Sequence, residues 1–200
     1  MKIRDARKQA SRARVVAAAR SLFEEVGFQA TTVRMIAERA QLSPGGVFTT
    51  FEDKVAILCQ VLDDYREGLF DEIEAVVPTL TGSVQRRLEA VFNLAHAHEL
   101  SRLRLVLAYI GASYTWSRHL EQEHRSTPNR LSTVLRAIVE DGVRRGEVRS
   151  DVDIDLFVDM MSSIYQRNYR TTHFAELSAA ELDRRAALQL DLLFEGARPG

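Results

Sequence analysis

The residues whose types and spacing suit a specific chemistry lie between residues 43 and 54. Ser43 and Pro44 precede two glycines, a pair of threonines follows, and Lys54 comes shortly after them. Glycines let a backbone approach another surface closely, while hydroxyl and ammonium groups are donors that suit phosphate oxygens. This combination favours binding to an anionic groove, such as that of DNA, over catalysis.

Two short helices joined by a tight turn are predicted to position these residues. Apolar residues recur at the spacing of one helical face between residues 33 and 40, and Thr31 or Thr32 can cap the helix start. Ser43 is the expected cap of the second helix, and Pro44 its first residue. This pattern is typical of a helix-turn-helix, whose second helix enters the major groove of DNA. Taken alone, the stretch also fits an ordinary helical corner.

The second helix is expected to turn its large side chains inward and its small ones toward DNA. Val47, Phe48 and Phe51 are the predicted inward residues. Base edges and phosphates are then left to small, hydroxyl-bearing and basic residues. The predicted DNA contacts are Arg4, Lys8, Thr32, Arg34, Ser43, Pro44, Gly45, Gly46, Thr49, Thr50 and Lys54.

Charge is distributed unevenly along a chain whose overall net charge is only −1. Residues 1–54 carry ten Lys and Arg against six Asp and Glu, a net charge of +4. Up to residue 20, Asp5 is the one acidic residue. A basic arm beside a helix-turn-helix is the electrostatic pattern expected for phosphate binding, although most runs of charge are simply solvated helix faces.

The composition, 46% hydrophobic and 28% charged over 200 residues, predicts a globular protein with a substantial core. The single cysteine, Cys59, excludes an internal disulfide and suits a reducing cytoplasm, where we expect the protein to act. The longest uncharged run, residues 105–117, is too short to cross a bilayer. No signal peptide is indicated, because the basic N-terminus lacks an apolar run behind it.

A series of short motifs runs through residues 12–62: Ala18-Ala19-Arg20-Ser21-Leu22-Phe23, Gly27-Phe28, Thr31-Thr32-Val33, Ile36-Ala37, Ser43-Pro44-Gly45 and Phe51-Glu52-Asp53-Lys54. With these motifs the stretch resembles the DNA-binding region of the TetR family of bacterial repressors. Four residues depart from the family pattern and affect the expected contacts. Gln41 stands where a turn glycine is usual, and Phe48 replaces a tyrosine that commonly reaches a phosphate. Thr50 replaces a frequent histidine, and Val55 a frequent glutamate.

The resemblance implies a ligand-responsive DNA-binding transcription regulator, a repressor that a small molecule releases from its operator. The alternative is an all-helical small-molecule-binding protein or enzyme that has kept this scaffold and lost DNA binding. Helical periodicity continues beyond residue 84 without sustained strand alternation, which predicts an all-α fold of about nine helices. We expect a helix-turn-helix DNA-binding domain over residues 1–54 and a helical ligand-binding and dimerisation domain over residues 55–200.

The resemblance also implies a homodimer on a palindromic operator. The last two predicted helices of this chain, near 153–173 and 178–195, would form a four-helix bundle with those of the second subunit. Leu188 and Leu192 lie off the main apolar stripe of the last helix, which suggests that a second face is also covered. The predicted interface residues are Phe157, Met161, Ile164, Leu182, Ala186, Leu190, Leu193 and Phe194.

The C-terminal helices contain more aromatic and weakly polar residues than packing requires, which suggests a largely apolar ligand cavity. No ring of Lys or Arg occurs there at helical spacing, so we expect a neutral or weakly charged aromatic or lipophilic effector. Each of these residues taken alone also fits an ordinary core position. The predicted ligand contacts are Tyr65, Phe92, His96, Tyr109, Tyr114, Trp116, Tyr165, Asn168 and Tyr169.

No enzymatic activity, cofactor or metal is expected. His96 and His98 are two residues apart and so lie on nearly opposite sides of a helix. His119 and Glu123 have suitable spacing for two ligands, but no third ligand lies at metal-site spacing. Cys59 has no catalytic motif around it, and a Gly-rich phosphate loop is missing.

Overall fold

The structure, a computed structural model, describes the backbone of residues 2–126 and 129–197 and the side chains of residues 5–122 and 129–197. Within these residues the fold is all α-helical, as predicted. No described helix is long and apolar enough to cross a membrane. The helices are α1 (Lys2–Glu25), α2 (Val33–Arg39), α3 (Pro44–Phe48), α4 (Lys54–Val76), α5 (Val84–Glu99), α6 (Leu103–Ser113), α7 (Arg118–Ser126), α8 (Arg130–Arg144), α9 (Ile154–Ala175) and α10 (Ala179–Glu195).

The helices divide between two compact units. The first contains Met1–Glu67 and Arg104–Thr115, and the second contains Gly68–Leu103 and Trp116–Gly200. The first unit extends beyond the domain predicted for residues 1–54, because the early turns of α4 bury apolar side chains inside it. Those side chains are Ile57, Leu58, Val61 and Leu62.

In the first unit, α2 packs against both α1 and α3. The rings of Phe23 and Phe28 meet edge to face, with their centroids 5.3 Å apart, and Ile36 and Ala37 of α2 are buried. Burial of such apolar side chains is the main stabilising contribution to this small domain. The core therefore fixes α2, and through it the position of α3.

In the second unit, α5 packs against α8 and α10, and α9 packs against α8 and α10. The sequence leaves Asp151 and Asp153 as possible caps of α9; the cap is Asp153, which accepts a hydrogen bond from Leu156 N. Residues 178–181 have the spacing of a capping box, and Ser178 and Glu181 form one at the start of α10. Both arrangements follow from the need of a helix N-terminus for acceptors.

A close helix contact in the second unit surrounds Gly142 of α8. A Cβ atom at this residue would lie 2.3 Å from Cγ2 of Val84 on α5 and 3.0 Å from Cγ2 of Val148. Both valines are buried. The glycine therefore lets the backbone of α8 approach α5 more closely than any other residue would.

Candidate nucleic-acid interface

The helices α2 and α3 form the predicted helix-turn-helix, and both predicted caps are confirmed. The Thr32 hydroxyl accepts a hydrogen bond from Met35 N at 3.2 Å, and the Ser43 hydroxyl accepts one from Gly46 N at 3.1 Å. A hydroxyl that accepts in this way still has its own hydrogen to donate. Thr32 and Ser43 can therefore cap a helix and donate to a phosphate at the same time.

The turn between α2 and α3 contains Gln41 in the left-handed region, with φ of 55°. Leu42 N donates to the carbonyl of Ala37 at 2.9 Å, and Gln41 N donates to Glu38 O at 3.1 Å. These bonds satisfy the last carbonyl groups of α2 in the way a glycine-ended helix usually does. Because Gln41 has a Cβ atom, the turn carries a strain of about 1–2 kcal/mol.

The outward face of α3 differs from the predicted one at one residue. Val47 and Phe51 point inward as predicted and are only 1% and 4% exposed. Phe48, predicted to point inward, is 53% exposed. It lies four residues after the exposed Pro44, and residues at this spacing share one face of a helix. The exposed face of α3 and the residue after it therefore consists of Pro44, Gly45, Phe48 and Thr49.

Arg12 of α1 fixes the end of α3. One guanidinium nitrogen donates to the backbone oxygen of Thr50 at 3.0 Å and another donates to Gln60 on α4. The guanidinium carbon lies 4.2 Å from the centroid of the Phe51 ring. The sequence identifies Arg12 only as part of the basic arm; its positioning role depends on contacts far apart in the chain.

Lys54 makes internal contacts where the sequence predicts a phosphate contact. Its ammonium nitrogen donates to the carbonyl oxygens of Phe28 and Thr31, each at 2.8 Å, and to Gln29 at 3.4 Å. It also lies 4.3 Å from the centroid of the Phe28 ring, and partial burial lowers its pKa. Lys54 therefore fastens the start of α4 to the loop between α1 and α2, and a phosphate would compete with these bonds.

A clamp formed by the exposed residues Glu25 and Arg39 and the half-buried Ser21 joins the ends of α1 and α2. Arg39 donates to both carboxylate oxygens of Glu25, at 2.8 and 2.9 Å, and to the hydroxyl of Ser21 at 2.9 Å. Ser21 in turn donates to Glu25. The hydrogen bonds from Arg39 and Ser21 lower the pKa of Glu25 to about 2, from an ordinary value of 4.5.

We expect the Glu25 carboxyl to titrate near pH 2, because Arg39 and Ser21 stabilise its charged form. A lowered folded-state pKa means that this contribution to stability is present above pH 4.5 and is lost as the pH falls toward 2. Carboxyl-carbon NMR of the folded protein measures the midpoint. Arg39→Gln should move the midpoint toward 4.5, and a midpoint already near 4.5 in the unchanged protein would contradict the clamp.

The remaining predicted DNA contacts lie mostly at the surface. Lys8 and Arg34 are exposed and have no ion-pair partner among the described side chains. Gly46 and Thr50 are half-buried. The Thr49 hydroxyl donates to Gly46 O at 2.7 Å. The side chain of Arg4 lies outside the described residues, so its predicted contact stays a prediction.

The second unit brings together five of the nine predicted ligand residues, all of them buried. The rings of four of them contact one another, with centroid distances of 5.5 Å between His96 and Tyr165 and 4.9 Å between Tyr165 and Tyr169. The other ring in the cluster is that of Phe92, 5.6 Å from Tyr165. Asn168 lies beside them and donates to Gln189 at 2.8 Å.

Two acidic side chains give this aromatic cluster its polar character. The Tyr165 hydroxyl donates to Glu99, which is itself buried, at 2.6 Å. His96 Nδ1 lies 3.0 Å from Asp183, and burial lowers the pKa of His96 although Asp183 opposes the shift. Burial also raises the pKa of Tyr169. Burial therefore favours the neutral forms of the His96 imidazole and the Tyr169 phenol.

The other four predicted ligand residues lie elsewhere. Tyr65 and Tyr109 belong to the first unit, where the Tyr109 ring faces the guanidinium of Arg66 at 5.3 Å. Tyr114 also belongs to the first unit and is 83% exposed. Trp116 is a half-buried residue of the second unit. The sequence could not separate these residues from the cluster, because an aromatic type does not reveal which other rings it meets; Tyr65 and Tyr109 lie on α4 and α6, and Tyr114 and Trp116 lie in the connection between α6 and α7.

Six of the eight residues predicted for a dimer interface are packed inside the subunit. They are Phe157, Met161, Leu182, Ala186, Leu190 and Phe194; Ile164 and Leu193 are half-buried. The large exposed apolar side chains of α9 and α10 are instead Leu156, Met160, Leu188 and Leu192, together with Phe174 near the end of α9. An apolar depression of about 250 Å³ lies between the two helices, beside Leu156, Met160 and Leu193.

Catalytic and metal chemistry receives no support from the described side chains. No group of three His, Cys, Asp or Glu residues among them could hold a metal ion, and Glu123 lies outside that set. Burial, together with the nearby charges of Asp63 and Asp53, raises the pKa of Cys59 to about 12. A thiol with that pKa is protonated at neutral pH and is a poor nucleophile.

Comparison with known proteins agrees with this geometry. A sequence model described as "Bacterial regulatory proteins, tetR family" matches residues 15–61, which include the whole helix-turn-helix. The chain is 29% identical over 150 residues to the uncharacterized HTH-type transcriptional regulator YdeS of Bacillus subtilis, covering 74% of this chain and 72% of that protein. It is 26% identical over 156 residues to the HTH-type transcriptional repressor KstR2 of Rhodococcus jostii, covering 74% and 73%.

Two solved structures share the fold over nearly the whole chain. FadR of Thermus thermophilus, a repressor in complex with lauroyl-CoA, superposes with a TM-score of 0.76 at 22% identity, covering 94% of this chain and 97% of that one. FadR of Bacillus subtilis, in complex with stearoyl-CoA, superposes with a TM-score of 0.72 at 18% identity, covering 93% and 99%.

Proposed function

We propose that this chain is a regulator of the TetR family that binds an inverted-repeat operator as a homodimer and releases it on binding a lipophilic effector. The observation that supports this most is that the family match over residues 15–61 coincides with an exposed helix-turn-helix. The small residues Pro44 and Gly45 are exposed on α3, and the exposed basic residues Lys8 and Arg34 lie on α1 and α2 of the same unit. Such a transcription regulator acts in the cytoplasm, where the chromosome lies.

The proposed dimer interface is the exposed apolar face of α9 and α10. Leu156 and Met160 are four residues apart on α9, and Leu188 and Leu192 are four residues apart on α10, so each pair forms one ridge. Exposed apolar ridges on adjacent helices mark an association surface. Two-fold symmetry would present two copies of α3 to successive turns of the major groove, about 34–36 Å apart or somewhat more.

The proposed effector is a largely apolar molecule with a weakly charged end. The cluster formed by Phe92, His96, Tyr165 and Tyr169 offers aromatic surface and neutral polar groups, which suits such a molecule. The two FadR repressors bind acyl-CoA molecules, whose acyl chains have this apolar character. Binding releases DNA only if the effector has a higher affinity for one of the two conformations of the dimer.

The DNA part of this proposal is tested by selecting operators from a random duplex library with the purified protein. An inverted repeat should emerge. Arg34→Ala should weaken binding to all selected sequences about equally. It should also lower the slope of log affinity against log salt concentration by about one. Arg86→Ala removes an exposed arginine from α5 of the second unit and should leave that slope unchanged. If no sequence is enriched, the proposed function is wrong.

The effector part is tested on the protein bound to its selected operator. Lauroyl-CoA, stearoyl-CoA, the two free fatty acids and coenzyme A alone are added in turn, and release is followed by fluorescence anisotropy. A free fatty acid should release the operator at a concentration where coenzyme A does not. Release by an acyl-CoA but by neither free acid would contradict the weakly charged effector. Failure of every acyl compound would exclude the proposed effector.

A further inference from the structure

The exposed ring of Phe48 has no structural role that its position explains. It is the last residue of α3 and is 53% exposed, whereas its neighbour Val47 is buried in the core. An aromatic ring left in water loses the free energy that its burial would supply. Something that covers the ring when the protein functions would recover that free energy.

The surface around Phe48 offers few hydrogen bonds for reading bases. Residues Pro44–Phe48 of α3 have no charged, amide or hydroxyl side chain. The hydroxyls that follow it are already donating, Thr49 to Gly46 O at 2.7 Å and Thr50 to Val47 O at 2.9 Å. Side chains that usually read guanine and adenine in the major groove, such as arginine and asparagine, are therefore not available from this helix.

The orientation of the ring is fixed by the residues on the opposite side of α3. Val47 and Phe51 are buried, and Arg12 holds the backbone of Thr50 while covering the Phe51 ring. Rotation of α3 that would bury Phe48 would expose both of those core residues. The ring thus stays on the outward face together with Pro44, Gly45 and Thr49.

The space next to the ring is open to a base edge. A Cβ atom at Gly45 would meet only the Ser43 hydroxyl, at 3.9 Å. The backbone can therefore approach DNA closely while Phe48 projects beyond it. In the major groove the one apolar group that distinguishes base pairs is the C5 methyl of thymine, which apolar side chains contact.

We propose that Phe48 is a specificity-determining residue that reads one thymine in each half-site through its C5 methyl group. This inference rests on the proposed function, since it requires that α3 enters the major groove. Each subunit supplies one ring, so the operator has one such thymine in each half, at symmetric positions. Loss of one methyl contact costs about fourfold in affinity, and loss of both costs about 15-fold.

The test uses the selected operator with thymines replaced one symmetric pair at a time by deoxyuridine, which lacks only the methyl group. One pair of positions should lose about 15-fold in affinity with the unchanged protein. Replacing that thymine by cytosine should also weaken binding, and 5-methylcytosine should recover part of the loss because it restores the same methyl. With Phe48→Ala, thymine and deoxyuridine at that pair should bind equally.

Controls separate this inference from the proposed function and from folding. Phe48→Leu keeps an apolar contact and should retain most of the deoxyuridine effect. Because Phe48 is exposed, Phe48→Ala should melt at the same temperature as the unchanged protein. If operator binding is normal but no deoxyuridine pair matters, the inference is wrong and the proposed function stands. If the effect persists in Phe48→Ala and disappears in Thr49→Ser, the methyl is read by Thr49 instead.

Discussion

Replacing Leu192 with glutamate should convert the protein to a monomer and lower its operator affinity by roughly 100-fold or more. Leu192 is 68% exposed on α10 and is the most exposed member of the proposed interface. In a two-fold dimer the substitution would bury two unpaired carboxylates in apolar surface, at a cost of several kcal/mol for each ion. The affinity falls because the second half-site is then no longer bound within the same complex.

Light scattering and fluorescence anisotropy on the selected operator measure the two effects. Val76→Glu places the same charge on a partly exposed apolar residue of α4 and should change neither. The melting temperature of the Leu192→Glu monomer reports whether the subunit stays folded. A Leu192→Glu protein that remains a dimer and binds its operator normally would rule out this face as the interface.

Gly142→Ala should destabilise the protein by about 1–3 kcal/mol, the cost of overpacking a well-packed core. The added methyl would lie 2.3 Å from Cγ2 of Val84. Valine has few rotamers, and Val84 is buried, so α5 and α8 would have to separate. The higher helix propensity of alanine offsets part of this cost, about 1 kcal/mol.

Denaturant unfolding at a fixed protein concentration measures the change. Gly68→Ala is the matched control, because a Cβ atom there meets nothing within 4 Å in α4; it should be neutral or stabilising. In the double variant Gly142→Ala with Val84→Ala, the loss of unfolding free energy should be smaller than the sum of the two single losses. The smaller side chain at residue 84 leaves room for the methyl added at residue 142. Full additivity would show that the clash does not control the packing of these helices.

Local sequence signals predicted the helix-turn-helix and its caps because the chemistry involved is local. A hydroxyl at Thr32 or Ser43 caps a helix through an amide only three residues away. The positive φ of Gln41 follows in the same way from its place between two closely spaced helices. These features depend on a few consecutive residues, so spacing alone suffices to find them.

The face of a short helix and the partners of a long side chain could not be predicted in this way. Residues Pro44–Phe48 make little more than one turn, so periodicity cannot distinguish whether Phe48 belongs to the inner or the outer face. On α10 both faces are apolar, and the stripe of Leu182 and Leu190 packs inside the subunit while Leu192 is exposed. Which apolar face is internal depends on helices that are distant in the sequence.

The bonds of Lys54 also have a mechanical consequence for the DNA-binding unit. They join the start of α4 to the carbonyls of Phe28 and Thr31, and Thr31 directly precedes the cap of α2 at Thr32. The side chain of Lys54 thus links the first residue of α4 to the residue before the cap of α2. A tilt at the start of α4 would either pull on this end of the helix-turn-helix or break these bonds.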